Sequence, residues 1–183
     1  MFDLAASRRI KLVGFDVDGV LTDNALFLGM HDGQRVELKR FDVQDGVGFA
    51  LLRESGIDTA WVSGRVSEAT ILRGNELQIP DVIQVPAQAK VPAIEALLDR
   101  KGLSWAEMAF VGDDFADLPV FAKVGLPIAV ANARDEVKQA ARHVTDAAGG
   151  HGAAREVVER LLRSRGSYEA TMRAYLSRDV VTP

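Results

Sequence analysis

Apolar residues along this chain follow two alternating rhythms: short unbroken runs, and longer stretches in which they recur every three or four positions. Residues 10–15 (IKLVGF) form a short, mainly apolar run ending at Asp16, the pattern of a strand buried on both faces. From 46 to 54, Val47, Ala50, Leu51 and Leu52 recur at helical spacing, and Gly56 is placed to stop that helix. The alternation then repeats. Strands are expected over 59–62, 82–85, 108–111, 128–130 and 143–145, and helices over 66–77, 90–101, 118–122, 134–141 and 153–164. Residues 167–178 either extend the last helix or form a separate one, and the tail over 179–183 is expected to be mobile. Such alternation predicts an α/β fold, a Rossmann-like parallel sheet with right-handed crossovers and helices on both faces.

One segment breaks the alternation. Over about 25–41, Leu26, Phe27 and Leu28 lead to the turn dipeptide Asp32-Gly33, followed by Val36, Leu38 and Phe41, which predicts a small β-hairpin. No internal repeat, low-complexity stretch or linker interrupts the chain, so a single domain over 1–183 is expected, with a C-terminal helix and tail over 167–183.

In an open parallel sheet, ligands sit beyond the carboxyl ends of the strands. The polar residues there fall into three groups: Asp16 and Asp18, then Ser63-Gly64-Arg65, then Gly112-Asp113-Asp114. Two carboxylates one residue apart can divide labour, one attacking phosphorus while the other donates a proton to the leaving oxygen and later activates water. A calcium loop also contains D-x-D-G. It needs Gly at position 6 and Glu at position 12 between helices, whereas Asp16-Val17-Asp18-Gly19 has Gly at position 4 after a strand. The acids of Gly112-Asp113-Asp114-Phe115-Ala116-Asp117 either surround a hard cation such as Mg²⁺ or cap the following helix. Asp113, nearest the strand end, is the better ligand candidate; Asp114 and Asp117 suit capping. Ser63 at a strand end suits a phosphate oxygen or a helix cap. Lys90, opening a helix, suits a phosphoryl group or an exposed surface site.

Bulk composition narrows the setting. The 183 residues are 48% hydrophobic and 26% charged, with a formal net charge of -4, so no basic field attracts nucleic acid or an anionic membrane. The absence of cysteine excludes disulfides, thiolate metal sites and a Cys nucleophile. No signal-peptide pattern opens the sequence and no stretch nears a membrane span, so a cytoplasmic protein is expected. His31, His143 and His151 are scattered and receive no catalytic role.

Asp16-x-Asp18, Ser63, Lys90 and Gly112-Asp113-Asp114, in that order over roughly 10–120, resemble the four motifs of the haloacid dehalogenase superfamily. Val20 in Asp16-Val17-Asp18-Gly19-Val20-Leu21-Thr22-Asp23 resembles its small cap-less branch, and three stretches extend the likeness: 37–46 (ELKRFDVQDG), 111–120 and 149–157 (GGHGAAREV). The resemblance implies a Mg²⁺-dependent phosphatase for a small phosphorylated sugar acid, Kdo-8-phosphate (3-deoxy-D-manno-octulosonate 8-phosphate) first and a nine-carbon keto-deoxy sugar acid 9-phosphate second. That activity belongs to lipopolysaccharide precursor synthesis. By resemblance, Asp16 is the nucleophile that becomes phosphorylated, Asp18 the acid/base, and Ser63 and Lys90 steady the phosphoryl group. Mg²⁺ is held by Asp16, the Asp18 carbonyl and Asp113, with Asp114 acting through water. Asp45, Gly46, Gly64, Arg65, Arg73 and Lys90 contact substrate, Arg65 and Arg73 being eight residues apart on one helix. Where the family has arginine, this chain has Gln44 and Ala50. The resemblance also implies that the hairpin stands in place of a cap domain, packing through Leu26, Phe27, Leu28 and Met30 into a homotetramer whose neighbours complete the site; an ordinary hairpin packed on its own domain is the alternative. A phosphotransferase, or a non-catalytic binding subunit on the same fold, are the other readings.

Overall fold

The alternating rhythm becomes a six-stranded parallel sheet in the computed structural model, which describes residues 2–177. The expectation for the tail over 179–183 lies outside those residues. The chain enters through α1 (Leu4–Arg9), a helix too short to leave a periodic signal, whose start Asp3 caps by accepting the Ala6 N–H. Then come β1 (Leu12–Phe15) and the hairpin of β2 (Phe27–His31) and β3 (Gln34–Leu38). Both residues of its Asp32-Gly33 turn have positive φ, 50° and 77°, as a tight two-residue connection requires.

Next follow α2 (Val43–Glu54), β4 (Asp58–Ser63), α3 (Glu68–Glu76), β5 (Asp81–Gln84), α4 (Lys90–Lys101) and β6 (Met108–Gly112). The chain closes with α5 (Leu118–Phe121), β7 (Leu126–Ala129), α6 (Asp135–Ala140), β8 (His143–Val144), α7 (Ala153–Arg165) and α8 (Tyr168–Leu176). Gly166, at φ 73°, ends α7, so Tyr168–Leu176 forms a separate helix rather than an extension. Caps also moved two boundaries. Asp42 accepts the Gln44 N–H and starts α2 earlier than the apolar spacing suggests. Ser67 accepts the Thr70 N–H and starts α3 later, so Arg65 precedes the helix and does not share it with Arg73.

Strand order is β5-β4-β1-β6-β7-β8, every pairing parallel. The chain builds outward from β1 to β5, then crosses back to β6 and builds the other way. With right-handed crossovers this reversal puts the strand-connecting helices before it (α2) and after it (α5 and α6) on opposite faces. On one side α2 packs against α7 and α8; on the other, α5 packs against α4 and α6. The core between is aromatic: Phe49 meets the rings of Phe15 and Trp61 edge-on, at 5.3 and 5.4 Å between centroids. Each such pair adds about 0.5–1.5 kcal/mol beyond area burial. The reversal between β1 and β6 is the topological switch point, where the carboxyl ends of adjacent strands open a crevice.

Candidate active site

At that crevice β1 delivers Asp16 and β6 delivers Asp113, each almost completely buried. Lys90, at the first position of α4, reaches into the same site with its side chain 2% exposed. Its ammonium lies 2.9 Å from Asp16 Oδ1 and 2.8 Å from Asp117 Oδ1. Asp117 is fully enclosed: its Oδ2 accepts the N–H groups of Asp113 (3.0 Å) and Asp114 (3.4 Å), tying the loop after β6 into place. Asp114 is exposed and accepts the Phe115 N–H, so it does cap the turn that follows.

Asp16, Asp113 and Asp117 each offer a carboxylate oxygen within 4.8 Å of the other two. Three buried carboxylates beside one ammonium leave a local deficit of positive charge. Burial, then the charge of Asp117, pushes the Asp16 carboxyl up to about 7 although Lys90 pulls it down. Burial, with Asp16, Asp117 and Asp114 adding to it, pushes Asp113 up to about 8. Burial pulls Lys90 down, but Asp16 and Asp117 outweigh it and its net shift is upward. Asp113 Oδ1 is buried with no hydrogen-bond partner. All-oxygen donors, excess negative charge and an orphaned buried oxygen fit a hard divalent cation. Because both Asp117 oxygens are already engaged, Asp16 and Asp113 are the carboxylates left to hold it.

The backbone around Asp16 is clamped closely. Gly19 sits at φ 90°, and any side chain there would collide with the Asp113 carboxylate. Asn132 donates to the Gly19 carbonyl (3.2 Å) and accepts the Gly149 N–H (2.6 Å), bolting the glycine-rich loop against the Asp16–Asp18 loop. A side chain at Gly149 would strike the Gly19 carbonyl. Asp18 leaves the sheet rim and meets Lys39 at 2.7 Å through Oδ1, while its Oδ2 lies 3.8 Å from Arg65 Nε.

The cleft has a volume of about 250 Å³, and Asp16, Asp18, Gly64, Arg65, Lys90 and Asp113 are among the residues lining it. Asp114, Asn24, Ala87 and Ala116 complete the wall. Ser63, at the end of β4, is fully buried, its hydroxyl donating to the Arg65 carbonyl and accepting the Arg65 N–H. Arg65 itself pairs with Glu37 at 3.0 Å. Three residues of the expected substrate set do not line the cleft. Asp45 is buried and accepts the Arg155 N–H. Arg73 pairs with Glu76 at 2.8 Å, and Gly46 lies beside it. Gln44 is exposed and Ala50 half-buried, both outside the cleft wall. Lys39 and Asn132 were not singled out from the sequence; the one lies within the 37–46 stretch, the other carries no local signal.

The family model for haloacid dehalogenase-like hydrolases matches residues 52–157. The chain is 38% identical over 166 residues to the 3-deoxy-D-manno-octulosonate 8-phosphate phosphatase KdsC of Escherichia coli K12, covering 91% of this chain and 86% of that protein. The crystal structure of the Yersinia pestis phosphatase of the same name superposes with a TM-score of 0.85 at 37% identity, over 91% of this chain and 88% of that one. The Moraxella catarrhalis phosphatase, solved in complex with magnesium, phosphate and Kdo, gives a TM-score of 0.86 at 32% identity, over 94% and 97%.

Proposed function

The chain belongs to the haloacid dehalogenase-like hydrolases, and on that premise we propose that it is a Mg²⁺-dependent phosphatase converting Kdo-8-phosphate to Kdo and phosphate. The observation that carries this reading is the charge balance at the switch point. Three enclosed carboxylates face a single lysine, leaving two negative charges for a divalent cation to offset. The Kdo-8-phosphate phosphatases of Escherichia coli and Moraxella catarrhalis supply the substrate class.

In this reading Asp16 attacks phosphorus, forming an aspartyl-phosphate as the ester P–O bond breaks. Asp18 gives its proton to the departing alcohol, then takes one from the water that hydrolyses the acyl phosphate. Lys90 holds Asp16 in line and keeps a fixed positive charge beside the phosphoryl oxygens. Ser63 and Gly64 at the end of β4 steady that group, and Arg65 faces the substrate from the cleft wall. Asp16, Asp113 and the Asp18 carbonyl would hold Mg²⁺, with Asp114 acting through water, and the bound cation supplies charge that offsets the phosphoryl oxygens.

The same reading takes 1–183 as one phosphatase domain, cytoplasmic and homotetrameric. Its supports are a continuous buried core and a hairpin whose Phe27, Leu28 and Met30 face solvent. Among the described residues no helix is long and apolar enough to cross a membrane.

The test is phosphate release from Kdo-8-phosphate beside a panel of other sugar phosphates, the nine-carbon acid 9-phosphate included, with Mg²⁺ and with a chelator. Fast turnover favouring Kdo-8-phosphate and abolished by chelation is expected. Preference for another ester would mark Gln44 and Ala50 as signs of a changed pocket. Silence across the panel would shift the weight to a binding subunit.

A further inference from the structure

Lys39 follows the last residue of β3, and its side chain has no exposed surface although it carries an ammonium. Such a group survives burial only where acceptors and opposite charge surround it. Lys39 meets Asp18 Oδ1 at 2.7 Å and donates to the Thr70 hydroxyl at 3.3 Å, while Glu37 Oε1, at 3.9 Å, adds opposite charge from beyond hydrogen-bond reach. These come from different parts of the chain. Asp18 belongs to the loop after β1, Thr70 to α3, and Glu37 to the hairpin. The end of the hairpin therefore brings in a cation that grips the side chain two residues beyond Asp16.

The geometry points to Lys39 as a positioning residue for proton transfer, holding Asp18 by Oδ1 so that Oδ2 carries the proton. Arg65 Nε, at 3.8 Å, stands beyond hydrogen-bond reach of Oδ2 and leaves it free. The assignment rests on the phosphatase reading above and deepens it. In the first half-reaction the ester P–O bond breaks, its electron pair goes to the leaving oxygen, and the proton on Asp18 Oδ2 goes with it. In the second, water attacks the phosphorus of the aspartyl-phosphate and gives a proton to Oδ2, and the bond between phosphorus and the Asp16 oxygen breaks. A carboxyl serving both steps must keep one orientation through both. An exposed lysine, free to exchange its partner for water, would not enforce that. With no exposed surface and Thr70 behind it, Lys39 does.

The experiment compares two esters whose leaving groups differ in their need for a proton. Kdo-8-phosphate releases an alkoxide that must be protonated as it departs, whereas p-nitrophenyl phosphate releases a phenolate that need not be. First-turnover rates are measured by rapid quench with Mg²⁺ for wild type and Lys39→Met. The ratio of the p-nitrophenyl rate to the Kdo-8-phosphate rate is expected to rise about 100-fold in the variant, the range of a misplaced general acid. A burst of p-nitrophenol equal to the enzyme concentration should also appear, because hydrolysis of the aspartyl-phosphate still needs Asp18 as base. If Lys39→Met does not fold, Thr70→Val decides instead, since it removes only the neutral partner; there the ratio should rise about threefold to tenfold, a fraction of the same effect. A ratio unchanged from wild type in whichever variant is folded overturns the positioning role, because a structural loss slows both esters alike. Should wild type release phosphate from neither ester, the phosphatase reading itself fails; a wild type active on both, with an unshifted ratio in the variants, sinks only the role of Lys39.

Discussion

Asp16 accepts from Lys90 while burial pushes its carboxyl up to about 7, so the fold carries a charge there that it would be more stable without. Function explains why it stays: a neutral amide at this position cannot attack phosphorus. Asp16→Asn keeps an oxygen to accept from Lys90 and removes the charge from the carboxylate cluster. Turnover should therefore fall at least about 10³-fold, as when a nucleophile is deleted, with no drop in melting temperature in metal-free buffer. Phosphate release and thermal unfolding on the same sample check both halves. Normal turnover in this variant would end the covalent mechanism, and a collapse of the fold would make the rate uninformative about chemistry.

At the scale of elements, the most consequential single contact outside the cleft joins α2 to α7. Asp45, in the first turn of α2, accepts the Arg155 N–H in the first turn of α7, one of the donors a helix leaves unpaired at its start. Its other oxygen, Oδ2, is buried without a hydrogen-bond partner. Burial pushes this carboxyl up to about 6, although the Arg155 N–H pulls it down. The folded state thus holds the proton more tightly than the unfolded chain, and the stability Asp45 contributes is lost as pH rises from about 4 through about 6. Asp45→Asn keeps the acceptor without the charge. Its stability relative to wild type, read from urea unfolding, should rise by about 1–3 kcal/mol over that window and level off above about pH 7. A difference that does not vary with pH would remove the buried-charge account. The contact also shows what the sequence conceals. Strands and helices were legible because each writes its own period: 90–101 matched α4 to the residue, and Asp32-Gly33 gave the hairpin turn. Asp16 and Asp113 were legible because strand ends converge on one rim, and Lys90, which opens a helix, only through the order and spacing of the family motifs. Asp45 onto Arg155, Lys39 onto Asp18 and Asn132 between two loops were not, since each joins positions that no local period relates. Residue type alone misled at Arg65 too, where the Ser67 cap, not the run of helix-formers, decides where α3 begins.

For the whole molecule, water access to the site depends on what covers the cleft. At about 250 Å³ it falls below the roughly 300–1,000 Å³ of pockets that enclose a small ligand, and an acyl phosphate left open to bulk water would lose control of its hydrolysis. Meanwhile the hairpin displays all five residues of β2 to solvent, with Phe27 and Leu28 each 58% exposed and Met30 71%. Leu38, paired across from Phe27, is 61% exposed, and Val66 and Leu72 extend the apolar surface toward α3. Apolar side chains exposed on both faces of one hairpin, Phe27 and Leu38 on one and Leu28 and Met30 on the other, fit an association site better than an ordinary exterior. Further copies of the chain seated on it would bury that surface and add the missing wall. For the proposed homotetramer, light scattering should give a mass near four times 19.8 kDa. Replacing Phe27 and Met30 together by Glu should shift it toward a single chain, because charges buried in an apolar contact lack partners. Turnover of Kdo-8-phosphate should fall with the mass, through KM as well as kcat, if neighbours complete the site. A double variant that keeps the wild-type mass would place the interface elsewhere. One that dissociates with full activity would mean that each chain closes its own cleft.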